Sequence, residues 1–217
     1  MSSLDVRMFT VGPFQENCFV VREKDAPNAL LVDPGDEPDK LLAALERLEI
    51  ESVEAILITH THIDHIGAVA PVARATKAQV YCPELETEAL ANIMDHLPWP
   101  GLGPFESYEA DHTVAGGESL ELAGLGIEVT FTPGHSPGHV SYAIPAHDAL
   151  FSGDVLFQGS VGRVDLPGGD WPTLLQSIET LMGAYPAETS VYPGHMGLTT
   201  LGRERATNPF LRELAER

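Results

Sequence analysis

The chain has 217 residues, 43% of them apolar, with Gly and Pro spread along its length, which excludes a disordered chain and leaves room for one substantial core. No apolar run approaches the roughly 18 residues of a membrane-spanning helix, and the opening MSSLDVRMFTVGPF lacks a basic stretch followed by a long apolar one, so a soluble, cytoplasmic, single-domain protein over 1–217 is expected. Twelve Lys and Arg against 32 Asp and Glu leave a formal charge of −20, which repels phosphate backbones, so neither nucleic acid nor membrane is expected as a partner.

In chain order, 6–12, 17–21 and 29–32 are short β-prone runs separated by Gly, Pro and Asn turns, which predicts an antiparallel start. Leucines at 41, 42, 45 and 48 lay a helical stripe along 39–50, and 53-VEAILIT-59 has the apolarity of a buried strand. The segment 59-THTHIDHIGA-68 leaves that strand as a loop, and 68–76 follows as a helix with Pro71 near its first turn. A strand at 79–82 and a helix over 84–97 come next. Then 98-PWPGLGPFESYEADH-112 is too rich in Pro, Gly and aromatic residues for a regular element, and it stands as a candidate substrate-side loop. Strands flank a Gly-rich turn in 118–132 and recur at 138–145 and 149–153; 171–182 is helical, 189–193 is a strand, and a last helix starts near Gly202. Runs of strands with interspersed helices in two similar halves predict an α+β fold with helices outside packed sheets, an αββα arrangement.

The loop at 59–68 places His60, His62, Asp64 and His65 within six positions. In an extended segment residues i and i+2 point to one side, so His60 and His62 can converge on one ion; on a helix they would diverge by about 200°. Asp64 and His65, past the turn, face elsewhere and suit a second ion or a water. A catalytic ion needs about three protein ligands with a position left open, so one loop does not suffice. Further donors stand at similar turns after β-prone runs: His135 in 132-TPGHSPGH-139, Asp154 in 152-SGDVLF-157 and His195 in 192-YPGHMG-197. His139 suits a structural hydrogen bond, and His96, His112 and His147 are expected at the surface. Cys18 and Cys82 fit no C-x-x-C pattern and are expected to be unbridged.

THTHIDH, PGHSPGH, GD and PGH, in this order and over most of the chain, resemble the signature of the metallo-β-lactamase superfamily of metallohydrolases. The resemblance implies that family's αββα four-layer sandwich, with a metal site at one sheet edge. It also implies two divalent metal ions: His60, His62 and His135 on the first, Asp64, His65 and His195 on the second, and Asp154 bridging both. Zinc is the first expectation, and iron or manganese suits the same donors. Asp33 in 31-LVDPG-35 matches a buried carboxylate that supports the metal loop, because oriented ligands need such partners.

Within the superfamily, 153-GDVLFQGSVGRVDLPGGD-170 and 200-TLGRERATNPF-210 resemble the short glyoxalase II-like, or hydroxyacylglutathione hydrolase-like, proteins. The implied reaction is hydrolysis of S-D-lactoylglutathione or another small acyl thioester by a water shared between the metals, with Asp64 and Asp154 fixing its orientation. A thiolate leaves readily, since a thiol pKa is about 8.5, so no strong general acid is required. Arg163 sits where that group has a basic residue near the thiol-derived part of the substrate, and it either binds substrate or pairs with Asp165. Full-length glyoxalase II has an additional C-terminal helical region whose basic residues hold glutathione; this chain stops soon after Asn208-Pro209-Phe210, so that clamp is not expected. True β-lactamases usually carry cysteine or serine where Asp154 stands, which argues against antibiotic hydrolysis. The competing reading is a persulfide dioxygenase, which resembles the run at 162–165 and binds one iron through the equivalents of His60, His135 and Asp154. Nothing in the residues speaks to oligomeric state.

Overall fold

Residues 3–97, 99 and 101–211 are described by the computed structural model; Pro98 and Pro100 of the predicted loop, and residues 212–217 after the last helix, lie outside them. The chain forms two compact units, Met1–Val114 with Glu121–Leu125, and Ala115–Leu120 with Gly126–Arg217.

The first unit opens with β1 (Leu4–Val11), β2 (Glu16–Glu23) and β3 (Asn28–Val32), antiparallel neighbours as predicted. Pro38 begins α1 (Pro38–Arg47), where its missing N–H costs nothing, and Leu41, Ala44 and Leu45 are the buried stripe. From there the sheet continues with parallel pairs: β4 (Ser52–Leu57) beside β3, β5 (Gln79–Pro83) beside β4, and β6 (His112–Val114) beside β5. The result is a six-stranded sheet in the order β1-β2-β3-β4-β5-β6. Between β4 and β5 lie α2 (Ile63–Ile66) and α3 (Val69–Thr76), the latter nearly as predicted. Leu31, Ile56 and Val80 are register partners on one face of this sheet, where with Ile58 they share one core with Leu41, Val69, Val72 and Leu90.

The predicted helix at 84–97 is instead a 3-10 turn, α4 (Thr87–Ala91) and α5 (Ile93–His96). Asn92 leaves helical geometry at φ −136 and ψ 49, and the next amide, Ile93 N–H, donates to Ser107 Oγ. A side chain from the irregular segment therefore takes the hydrogen bond that an uninterrupted helix would have made. That segment leads into β6, of which only His112 falls within the predicted loop.

The second sheet has the order β14-β13-β10-β9-β8-β7, from β7 (Ser119–Leu122), β8 (Leu125–Phe131), β9 (Val140–Ile144), β10 (Ala149–Gly153), β13 (Ser190–Pro193) and β14 (Thr199–Thr200). β8, β9 and β10 are antiparallel in turn, and β10 runs parallel to β13. A separate hairpin, β11 (Leu156–Phe157) with β12 (Ser160–Val161), hangs between β10 and α6 (Trp171–Ala184). Asp170 caps α6 by accepting from Thr173 N–H at 2.9 Å, and Leu174, Ile178 and Leu181 pack into the second unit's core with Leu150, Val155 and Val191. The chain continues through α7 (Leu201–Thr207), one residue before the predicted start. Among the described residues no helix is long and apolar enough to cross a membrane. Cys18 and Cys82 are both free and buried, and burial raises both thiol pKa values above the ordinary range, so each behaves as a small core residue.

Candidate metal centre

In the first unit the donors follow the C-terminal end of β4. Residues 59–62 lie beyond β4, Thr59 in a bend and His62 extended at φ −63 and ψ 145, and the chain then turns into α2, which carries Asp64 and His65. In this stretch Thr59 and Thr61 face carboxylates, and His60 and His62 face each other. Asp33 accepts from Thr59 N–H at 2.8 Å and from Thr59 Oγ1 at 2.7 Å, while Glu86 accepts from Thr61 N–H at 3.1 Å and from its hydroxyl. Asp33 reaches this place because its own amide donates to Leu57 O and its backbone takes φ +48, a conformation aspartate tolerates better than most residues.

These bonds settle ring tautomers. The single hydroxyl hydrogen of Thr59 goes to Asp33, so at the 3.1 Å contact with Thr59 Oγ1 it is His60 Nδ1 that donates, leaving its Nε2 lone pair directed elsewhere. His65 Nδ1 lies 3.0 Å from Asp33 Oδ2 and donates to it, which likewise leaves Nε2 as the lone-pair nitrogen. His60 Nε2 and His62 Nδ1 are 3.1 Å apart, close to the roughly 3.3 Å expected of two nitrogens each about 2.0 Å from one tetrahedral ion. The His60 and His65 rings lie with centroids 4.2 Å apart, tilted by 53°, and both are fully buried. A second carboxylate, Glu16, has its Oε1 3.9 Å from His65 Nδ1 and is also fully buried.

Asp64 sits in the first turn of α2, where its backbone carbonyl lies against Gly35. With Ile63 and Gly35 it lines a depression walled by Pro13, Phe14, Leu102 and Phe105, and the Trp99 ring lies tilted against Phe14 with centroids 5.7 Å apart. The irregular segment after residue 98 thus borders Asp64, while its Phe105 and Tyr108 also pack on the first unit's core.

In the second unit three turns after strand ends carry His135, Asp154 and His195. His135 Nδ1 donates to the backbone carbonyl of Arg163 at 2.7 Å, and a carbonyl can only accept. Its Nε2 is thereby turned toward Asp154 Oδ2, 3.4 Å away. His195 Nε2 approaches the same oxygen at 3.5 Å. One carboxylate oxygen thus faces two imidazoles. His139, as expected, makes structural hydrogen bonds: its Nε2 accepts from Asp154 N–H at 3.1 Å, and its Nδ1 is tied to Thr132 Oγ1 at 3.0 Å, which orients the ring.

The donor chemistry of both clusters fits divalent ions. Imidazole and carboxylate suit zinc, iron and manganese. Among the described residues the buried charged side chains Glu16, Asp33, Glu86, Asp154 and Glu204 are all carboxylates, and no Lys or Arg is buried. Buried charge of one sign requires cations or several hydrogen-bond donors.

Sequence reasoning missed Glu86 and Glu16, which lie far from the histidine loop in sequence, and it missed the backbone carbonyl of Arg163. The Arg163 side chain is bidentate on Asp165 at 2.6 and 2.8 Å, and those bonds hold the Asp165 pKa down to about 2. A depressed carboxylate stays ionised as pH falls through its ordinary 3.8, so this pair is lost only near pH 2. Arg163→Ala keeps the carbonyl that holds His135. It is expected to bind added zinc as wild type does, within about threefold by titration between pH 5 and 8. Loss of bound metal in that variant would contradict the assignment of the carbonyl.

Comparison with known proteins identifies the family of the chain. The profile of the metallo-beta-lactamase superfamily matches residues 11–195. Hydroxyacylglutathione hydrolase GloC of Haemophilus influenzae is 32% identical over 210 residues, covering 96% of this chain and 98% of its own. Among solved structures, the BLEG-1 B3 metallo-beta-lactamase superposes with a TM-score of 0.89 at 39% identity, over 96% of this chain and 100% of its own. TTHA1623 in a di-iron-bound form gives 0.84 at 42% identity, over 95% and 100%. With a matching profile over most of its length and relatives aligned nearly end to end, the chain belongs to the metallo-β-lactamase superfamily and has that family's fold.

Proposed function

We propose that the protein is a two-metal thioesterase of glyoxalase II type, acting on S-D-lactoylglutathione or a related small acyl thioester. The observation that carries this reading is the near full-length similarity to a hydroxyacylglutathione hydrolase, joined to imidazole lone pairs and a shared carboxylate oxygen in the ligand turns. The proposed ligands are His60, His62 and His135 for one ion and Asp64, His65 and His195 for the other, with Asp154 common to both. Bound there, divalent ions would lower the pKa of a water toward about 7 and polarise the thioester carbonyl.

The chain's own residues prepare that chemistry. Asp33 and the Arg163 carbonyl fix the protons on His65, His60 (through Thr59) and His135, so that each ring offers Nε2. Glu86 holds Thr61 between the two first-loop histidines, and His139 holds the amide of Asp154. Preset rings and carboxylates need no reorganisation when charge develops on the substrate oxygen. No side chain has to protonate the leaving group, because a thiolate is stable near neutral pH.

The test is elemental analysis of the purified protein together with a substrate panel. About two ions per chain, zinc or iron, and turnover of acyl thioesters are expected. One iron with oxygen uptake on glutathione persulfide would replace this reading by the dioxygenase, and faster turnover of a cephalosporin than of any thioester would replace it by a β-lactamase.

A further inference from the structure

The run 200-TLGRERATNPF-210 drew attention in the sequence, and the ligand turns leave it without a role. Its centre is Glu204, on α7, which is fully buried. A carboxylate out of water is costly unless several donors converge on it. Here three do, from three separate segments: Gly159 N–H at 2.8 Å, Thr199 Oγ1 at 2.5 Å and Asn208 Nδ2 at 2.9 Å.

Each donor leads back to a ligand turn. Gly159 is at the tip of the β11–β12 hairpin, which leaves β10 through Asp154. Thr199 begins β14, four residues after His195. Asn208 Nδ2 also donates to Ser160 O at 2.9 Å, which doubles the hold on the hairpin tip. At the other end, Gly194 N–H donates to Gly153 O at 2.9 Å, so the Asp154 and His195 turns are joined directly by backbone at the site and by Glu204 behind it. Packing α7 would require only an apolar residue at this place. An acid that gathers donors from the hairpin and the strand does something packing does not.

We propose that Glu204 is a positioning residue that sets the spacing of His195 from Asp154 and so governs the affinity of the second ion; this rests on the two-ion reading above. The first ion keeps three histidines and is affected less. Glutamine keeps the shape but turns an amide N–H2 toward donors, so it restores only part of the clasp.

The experiment titrates zinc into the chelator-stripped full chain against a chromophoric chelator, for wild type, Glu204→Ala, Glu204→Gln and Thr199→Val. Hydrogen exchange of amides 155–162 and 194–200 in the zinc-free chain is the second readout. Wild type is expected to take two ions. In Glu204→Ala the tighter ion keeps its affinity within about threefold, the weaker loses about tenfold or more, and both amide stretches exchange faster. Glu204→Gln and Thr199→Val shift the weaker ion the same way by less. If Glu204→Ala does not fold, Thr199→Val and Asn208→Ala carry the comparison. Unchanged affinity for both ions in the folded variants overturns the proposal, and so does an equal loss at both, the mark of general destabilisation. A wild type that binds a single ion overturns the two-ion reading itself and this proposal with it.

Discussion

Asp154→Ala is expected to lower kcat for thioester hydrolysis by about 10³-fold or more and to reduce zinc from about two ions per chain toward one. The Oδ2 atom of Asp154 stands 3.4 Å from His135 Nε2 and 3.5 Å from His195 Nε2, so one substitution removes the anion shared by two imidazoles. A factor of 10³ corresponds to about 4 kcal/mol of transition-state stabilisation, the scale at which a metal's charge acts on a developing oxyanion. Asp154→Asn keeps the volume and one acceptor oxygen but no charge, and it should fall between wild type and alanine in both zinc content and rate. Its backbone anchor is unaffected, because His139 grips the amide of residue 154 and not the side chain. Reduced activity should therefore appear without a large change in Tm of the zinc-free protein. Full activity with two zinc ions in Asp154→Ala would remove Asp154 from the site.

The residues most legible in the sequence were those whose role follows from local geometry. His60 and His62 stand two apart just after a strand, so the expectation that they converge needed only the strand period, and their ring nitrogens lie 3.1 Å apart. Asp33 was read as a buried carboxylate behind the loop, and it is buried and accepts from Thr59 N–H. Glu86 could not be read this way. It lies 25 residues from Thr61 in a stretch, 84-ELETEALA-91, where acidic residues are what any solvated helix would show. The Arg163 carbonyl was equally hidden, because a backbone atom leaves no mark in residue identity. The helix predicted over 84–97 failed for a related reason: the apolar period runs on through Ile93, but Ser107, 14 residues away, captures the Ile93 amide. Elements of two or three residues, β6, β11, β12 and β14, are shorter than any period that could announce them. Long-range hydrogen bonds thus account for most of what was missed, in the fold and in the donor clusters alike.

The same distinction between local and distant causes predicts how glycines respond to a single added methyl group. Neither Gly35 nor Gly162 has a positive φ, so alanine suits the backbone at both; what forbids it is another stretch of chain. A Cβ on Gly162 would lie 1.8 Å from the carbonyl oxygen of Asp154 and 3.1 Å from His135 Nδ1. One on Gly35 would lie 1.5 Å from the carbonyl oxygen of Asp64 and 2.7 Å from Glu16 Oε2. In each unit, a glycine lets the chain lie directly against a proposed ligand aspartate. Backbone cannot swing aside as a flexible side chain can, so the aspartate's turn must shift, at about 3 kcal/mol or more. For a chain of this size that is a fall in Tm of about 6–12 °C, measured on the zinc-free protein, where loss of metal cannot contribute. Gly183, on α6, is the control: its Cβ would meet nothing within 4 Å, and alanine there should stabilise by about 0.5–1 kcal/mol by improving helix propensity. Gly35→Ala and Gly162→Ala should also weaken zinc binding, since the displaced segments carry Asp64 and Asp154, whereas Gly183→Ala should leave it unchanged. Wild-type Tm and zinc affinity in Gly162→Ala would mean that the Asp154 turn has slack, and its place in the donor set would then need another cause than this close approach.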